Sequence, residues 1–197
     1  MSAALFGATN HARSQGGRES DSFAPPPAPL TNAERARQRG EVLDRLFGRL
    51  RSAKSETEAK MVEQSIWQMW MRSGGATADL LLEQAVKSIN ARNYDRALDI
   101  LDVVIDEAPK FAEAWNKRAT VNYILGRLDR SLADIDVVLE LEPRHFGALS
   151  GLGMIRRDRG DAKGALSAFR DALGINPHLA NIRETVKTLE HEVEQEI

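Results

Sequence analysis

The chain contains no cysteine in its 197 residues, which excludes disulfides, thiol catalysis and cysteine-ligated metal. The same absence leaves the compartment open, because exported proteins also do without cysteine. Histidine is scarce. His11, His145, His178 and His191 are the only four, and no two of them share a helical face at metal-ligand spacing, so no metal site is expected. No apolar run approaches the length needed to span a bilayer, and membrane insertion is not expected. Charge of one sign is also missing: 27 Lys and Arg against 29 Asp and Glu leave a net charge of −2. That balance argues against broad electrostatic attraction to nucleic acid or an anionic membrane. The arginines at 35, 37, 39, 45, 49 and 51 are dense, yet they point around a whole helix and alternate with acids, as on a solvated surface. Catalytic patterns are lacking as well. Asp134 and Asp136 lie two apart and face different sides, and Gly147, Gly151 and Gly153 have neither the preceding strand nor the Gly-Lys-Ser of a phosphate loop. The residues predict neither an enzyme nor a cofactor.

What the chain does contain is a period. Pro109, Pro143 and Pro177 follow one another at intervals of 34 residues. A fixed period of that length marks stacked helix-turn-helix units, each unable to bury its apolar face alone. Small residues recur in register with the prolines, at Ala85 and Ala97, Ala119 and Ser131, and Gly153 and Ala165. There the two helices of a unit can cross closely. Leu81, Leu101, Trp115, Ile135, Leu152 and Phe169 stand nearby to fill the space around each crossing. The prolines end each second helix, since proline lacks the amide proton and restricts Ala108, Glu142 and Asn176 before it.

The third block carries Leu149, Leu152-Gly153, Gly160-Asp161, Ala165, Phe169, Ala172 and Pro177; the second carries Trp115, Arg118-Ala119, Gly126, Ser131, Ile135 and Pro143; the first carries Leu81, Ala85, Tyr94, Ala97, Leu101 and Pro109. This pattern resembles the tetratricopeptide repeat (TPR), of bacterial type, with Ser88, Asn122 and Arg156 in place of its tyrosine. The resemblance implies an all-α fold, a right-handed TPR superhelix or α-solenoid, with repeats at 78–111, 112–145 and 146–179. It also implies a non-enzymatic scaffold or adaptor for protein–protein interaction.

Three further segments flank the repeats. Residues 31–75 read as a divergent TPR-like helical hairpin. Leu43, Leu46, Phe47 and Leu50 share one face, Val62, Ile66, Met69 and Trp70 another, and Ser55 to Glu58 has capping-box form between them. The hairpin is expected on the front of the array, over repeat one. Residues 180–197 read as a capping helix with Ile182, Val186, Leu189 and Val193 inward. Residues 1–30, rich in Ala, Ser, Gly and Pro, read as a disordered tail. Ala3-Ala4-Leu5-Phe6 is too short for a signal-peptide core and follows no basic cluster, which makes the cytoplasm the default compartment, and the periplasm the alternative if a leader has been removed.

In the TPR family the first helix of each repeat lines a concave groove. The resemblance places Leu82, Val86 and Ile89 there from repeat one, unless the N-terminal hairpin covers these three, Asn116, Thr120 and Tyr123 from repeat two, and Ser150, Met154 and Arg157 from repeat three. Each set shares one helix face. Such a surface suits a protein partner offering a peptide segment or a helix to a monomeric chain. Leu82 and Val86 stand where the family's chaperone-tail clamp uses lysine and asparagine, so that ligand is not expected. Arg118, at a normally apolar position, is expected to pair with Asp134. The alternative function is a structural subunit docked permanently through Trp67, Met69, Trp70 and Met71.

Overall fold

The computed structural model describes residues 30–195, and the tail expected at residues 1–30 lies almost wholly outside them. Among the described residues there are nine helices and no strand: α1 Asn32–Ser52, α2 Glu56–Trp70, α3 Ala76–Asn90, α4 Tyr94–Glu107, α5 Ala112–Ile124, α6 Leu128–Leu141, α7 Phe146–Asp158, α8 Ala162–Ile175 and α9 Ala180–Gln195. Helices α3 with α4, α5 with α6, and α7 with α8 pack as pairs, and each pair stacks on the next. The first helices α3, α5 and α7 also touch in sequence and form one continuous layer. The described residues thus form an all-α solenoid of stacked helix pairs.

The 34-residue register appears in the backbone at three places. Ala108, Glu142 and Asn176, each before a proline, leave helical geometry with φ −138°, −142° and −122°. Each still donates its amide proton to the preceding turn, to Val104, Val138 and Ala172. The turn inside each pair needs a left-handed residue, supplied by Gly126 (φ 71°) and Gly160 (φ 77°) but by Arg92 (φ 58°) in the first. A side chain there costs energy that glycine avoids. One residue later Asn93 and Asp161 cap α4 and α8 with their side chains, whereas Arg127 gives α6 no such cap.

The small-residue crossings lie at the bottom of the core. Ala85, Ala97 and Ala165 have no exposed surface, and Ser131 Oγ donates to Ala119 O at 2.8 Å across its crossing. At the third, a Cβ placed on Gly153 would lie 2.5 Å from Phe169 Cε1. Glycine is therefore what lets α7 and α8 close.

The first two helices form the additional hairpin. Thr31 and Glu34 make a full capping box on α1, a signal not read from the sequence. At α2, Ser55 Oγ accepts from Glu58 N at 3.1 Å, but the Glu58 carboxylate reaches Lys54 N rather than Ser55 N. The expected position over repeat one is corrected by the packing. Leu43, Phe47, Leu50, Ile66 and Trp70 share their core with Phe146, Leu149 and Ala172 of α7 and α8. The reason is steric and chemical: α7 opens with Gly147, which leaves room for the Trp67 ring, and with His145, which offers Trp70 a stacking partner. At the other end, Val186 and Leu189 of α9 pack on Leu166 and Phe169 and cover repeat three.

Candidate protein-binding face

The layer of α3, α5 and α7 carries the nine residues that the sequence places in the groove, and the structure distributes them unevenly. Leu82 has no exposed surface and belongs to the core around Leu101 and Phe111. Val86 and Ile89 are half-buried. Asn116 is 8% exposed, and its side-chain amide donates to Glu113 Oε2 at 3.1 Å. Thr120 is exposed, with its hydroxyl donating to Asn116 O at 2.9 Å. Tyr123 OH donates to Asp158 Oδ2 at 2.7 Å and ties α5 to α7. That bond, and burial after it, hold the Tyr123 phenol above its ordinary value. Ser150 Oγ donates to Phe146 O at 2.7 Å. Met154 is half-buried against the α8–α9 core, and Arg157 is exposed. An open surface therefore runs through Val86, Ile89, Thr120, Tyr123, Met154 and Arg157, extended by Ile124, which is 48% exposed. It is largely apolar, with hydroxyls in the middle and, at one end, the Arg157 guanidinium 3.9 Å from the Asp158 carboxylate.

The α1–α2 hairpin takes the other part of this layer, near the N-terminal ends of α5 and α7. Trp67 stands edge-on to His145 and Phe146 at centroid distances of 5.5 and 5.4 Å, and Trp70 stacks on His145 at 4.0 Å and 10°. Lys117 Nζ lies 5.5 Å from the centre of the Trp67 ring, a favourable cation–π arrangement. Beneath the two tryptophans His145 and Glu113 are both fully buried. His145 Nδ1 accepts from Ala148 N at 3.1 Å, so the ring proton sits on Nε2 and is donated to Glu113 Oε2 at 3.0 Å. Lys117 Nζ is 2.8 Å from the other Glu113 oxygen. Burial raises the Glu113 pKa, but the His145 hydrogen bond and the Lys117 charge outweigh it, and the carboxyl is held below its ordinary 4.5. Nothing in the sequence marks this cluster. Its members come from two repeats and a hairpin that approach one another only after folding.

On the opposite side of repeat two, Arg118 occupies its apolar-type position in the expected pair. Its Nε and Nη2 donate to Asp134 at 3.1 and 2.7 Å, and Nη1 donates to Asp102 at 2.7 Å. The guanidinium lies over Trp115, 4.7 Å from the ring centre, and Asn122 donates to the same Asp134. Arg118 is therefore engaged inside the fold. The tryptophan and methionine surface of the alternative reading is turned inward: Trp70 is buried, and Trp67, Met69 and Met71 are half-buried within the chain. Among the described residues no helix is long and apolar enough to cross a membrane, and no group of three or more His, Asp or Glu could hold a metal ion.

Comparison with known proteins agrees with this architecture. A family model described as tetratricopeptide repeat matches residues 82–141 and 125–180. A TPR repeat-containing protein of Rhizobium etli is 40% identical over 147 residues, which is 75% of this chain and 72% of that protein. A heat-shock protein cognate co-chaperone of Aspergillus fumigatus is 24% identical over 127 residues, 64% of this chain and 37% of that protein, so only a part of that longer relative is matched. Among solved structures, the first TPR domain of Spaghetti (RPAP3), bound to an HSP90 peptide, superposes with a TM-score of 0.57 at 19% identity, covering 59% of this chain and 93% of that one. The Sgt2 TPR domain of Aspergillus fumigatus gives 0.57 at 20% identity, covering 61% and 82%. At these identities the structural likeness concerns the fold.

Proposed function

Because the chain belongs to the tetratricopeptide repeat family, we propose that it is an adaptor that binds a segment of a partner protein on the layer formed by α3, α5 and α7. One observation carries the reading: Val86, Ile89, Thr120, Tyr123, Ile124, Met154 and Arg157 keep exposed surface on that layer, outside the ground taken by α1 and α2. Their chemistry favours a segment with apolar side chains and an acidic group for Arg157, held through main-chain contacts to the Thr120 and Tyr123 hydroxyls. An HSP90 peptide of the kind bound by the Spaghetti domain is disfavoured. Leu82, fully buried, and Val86 stand where the family's chaperone-tail clamp uses lysine and asparagine.

Affinity capture from native lysate, compared between the parent and a Tyr123→Ala/Arg157→Glu chain, tests the assignment. Val103→Ala on α4, where Val103 is 49% exposed, serves as the control away from the layer. Loss of a specific protein in the first variant and its retention in the control is the expected result. Equal capture by all three chains would remove the inner-layer assignment.

A further inference from the structure

In a solenoid each unit stacks on its neighbour in the chain, but the α1–α2 hairpin does not follow that rule. Its core is shared with α7 and α8, two repeats further on, and the link to α3 passes through Gly74 and Gly75. The interface it makes has the anatomy of one between separate molecules, an apolar centre with a polar rim. Phe47, Leu50 and Trp70 meet Phe146, Leu149 and Ala172 in the middle. Around them Glu63 accepts from Asn176 at 3.0 Å, Arg144 Nη1 lies 2.6 Å from Asp44 Oδ1, and His178 Nε2 lies 3.1 Å from Leu50 O. The seat is shaped for one side chain in particular: a Cβ at Gly147 would come within 2.7 Å of Trp67 Cη2. The occupant is not fully satisfied there, since Trp70 Nε1 of α2 is buried without a hydrogen-bond partner. A donor left in that state is a standing cost of docking that undocking into water relieves.

Resting on the reading of the chain as a binding scaffold, we propose that the seat on α5, α7 and α8 takes an amphipathic helix of a partner protein, and that α1–α2 fills it internally as a displaceable stand-in. The stand-in specifies the chemistry of the partner. Glu63, Trp67 and Trp70 fall at i, i+4 and i+7 on one face of α2. The acid meets Asn176, the first aromatic lies between Gly147 and Lys117, and the second stacks on His145. A partner helix with an acid followed four and seven residues later by aromatic side chains meets the same groups. Linked through two glycines, the hairpin competes at high effective concentration. A partner therefore binds only to the fraction of chains in which it has swung away.

The probe is a fluorescently labelled synthetic peptide with the sequence of residues 55–73, titrated into full-length chains and followed by anisotropy. The parent should bind it poorly. A Glu63→Ala/Trp67→Ala chain, whose own hairpin docks weakly, should bind it at least about ten-fold more tightly, and adding Gly147→Leu should abolish the gain. A helical variant that binds no better than the parent would overturn the proposal, as would a gain that survives Gly147→Leu. Dimers of the variant that exclude the peptide would overturn it too, by making a second copy the occupant. If the variant fails to fold, hydrogen exchange of the parent decides: amides of α1 and α2 should open together at least about ten-fold faster than those of α5 to α8, and exchange only together with the repeats would rule displacement out. Neither Trp67 nor Gly147 belongs to the surface from Val86 to Arg157, so failure here leaves the capture experiment standing, and the reverse.

Discussion

Replacing Gly153 by alanine sets two effects of opposite sign against each other. Alanine in a helix interior is favoured over glycine by about 0.8 to 1 kcal/mol, so a substitution in open space stabilises. Gly153 is not in open space. Its added Cβ would stand 2.5, 2.6 and 2.8 Å from three atoms of the Phe169 ring. Phe169 has no exposed surface and is enclosed by Ala165, Leu166, Val186 and Leu189. The ring can move only by displacing α9 or opening the α7–α8 crossing. Overpacking of this kind costs about 1 to 3 kcal/mol, and the upper half of that range applies where the obstructing group is a rigid, buried ring. The expected balance is a net loss of about 1 to 2 kcal/mol, a fall of roughly 2 to 8 °C in the melting midpoint for a chain of this size. Gly48→Ala, on α1 with nothing within 4 Å of its Cβ, should move the other way. Thermal and urea melts of both variants, with Phe169→Leu and Gly153→Ala/Phe169→Leu beside them, check the account. Measured against Phe169→Leu alone, which carries its own cavity cost, the added Gly153→Ala should lose much less than it does in the parent, because the clashing ring is gone. A Gly153→Ala midpoint at or above that of the parent would refute the close crossing.

Arg92→Gly should stabilise by about 1 kcal/mol, since Arg92 alone of the three equivalent turn residues holds a left-handed φ with a side chain; a urea midpoint unchanged or lowered would contradict this. Arg127→Asp should add a missing N-cap to α6 and contribute about 0.5 to 2 kcal/mol, measured in the same way. Arg118→Leu should cost about 3 kcal/mol, because it leaves the Asp134 carboxylate, 5% exposed, without its main partner; a loss under about 1 kcal/mol by denaturation would show the pair to be superficial. Glu113 has a folded pKa below its ordinary 4.5. Its contribution is thus complete above that value and lost as pH falls through the lower folded one. Acid unfolding of Glu113→Gln should be less steep than that of the parent, and coincident curves would contradict the assignment.

The repeats were readable because their information is local and recurs. A proline, a small residue and a turn glycine each mean the same thing at every 34th position, and the backbone at Ala108, Glu142 and Asn176 shows why. The Arg118–Asp134 pair was legible for a related reason, as a charged residue at an apolar register position needs a partner on the paired helix. The position of the hairpin was not legible. Its helices could be read from their apolar spacing, but the seat depends on Gly147 and His145, which in the sequence look like an ordinary helix start. Depth within the groove face was also hidden. Helical register puts Leu82 and Asn116 on the same side as Thr120 and Arg157, yet the packing around them buries the first two and leaves the others with exposed surface. Sequence gives direction around a helix, and only the packed neighbours decide exposure.

The most direct test of the central claim is hydrogen exchange of the chain alone and in complex with the protein retained by affinity capture. The account predicts new protection within residues 86–89, 120–124 and 154–157, on three helices that are separate in sequence and adjacent in the α3–α5–α7 layer. Protection confined to the outer helices α4 and α6, with the inner segments unchanged, would contradict it.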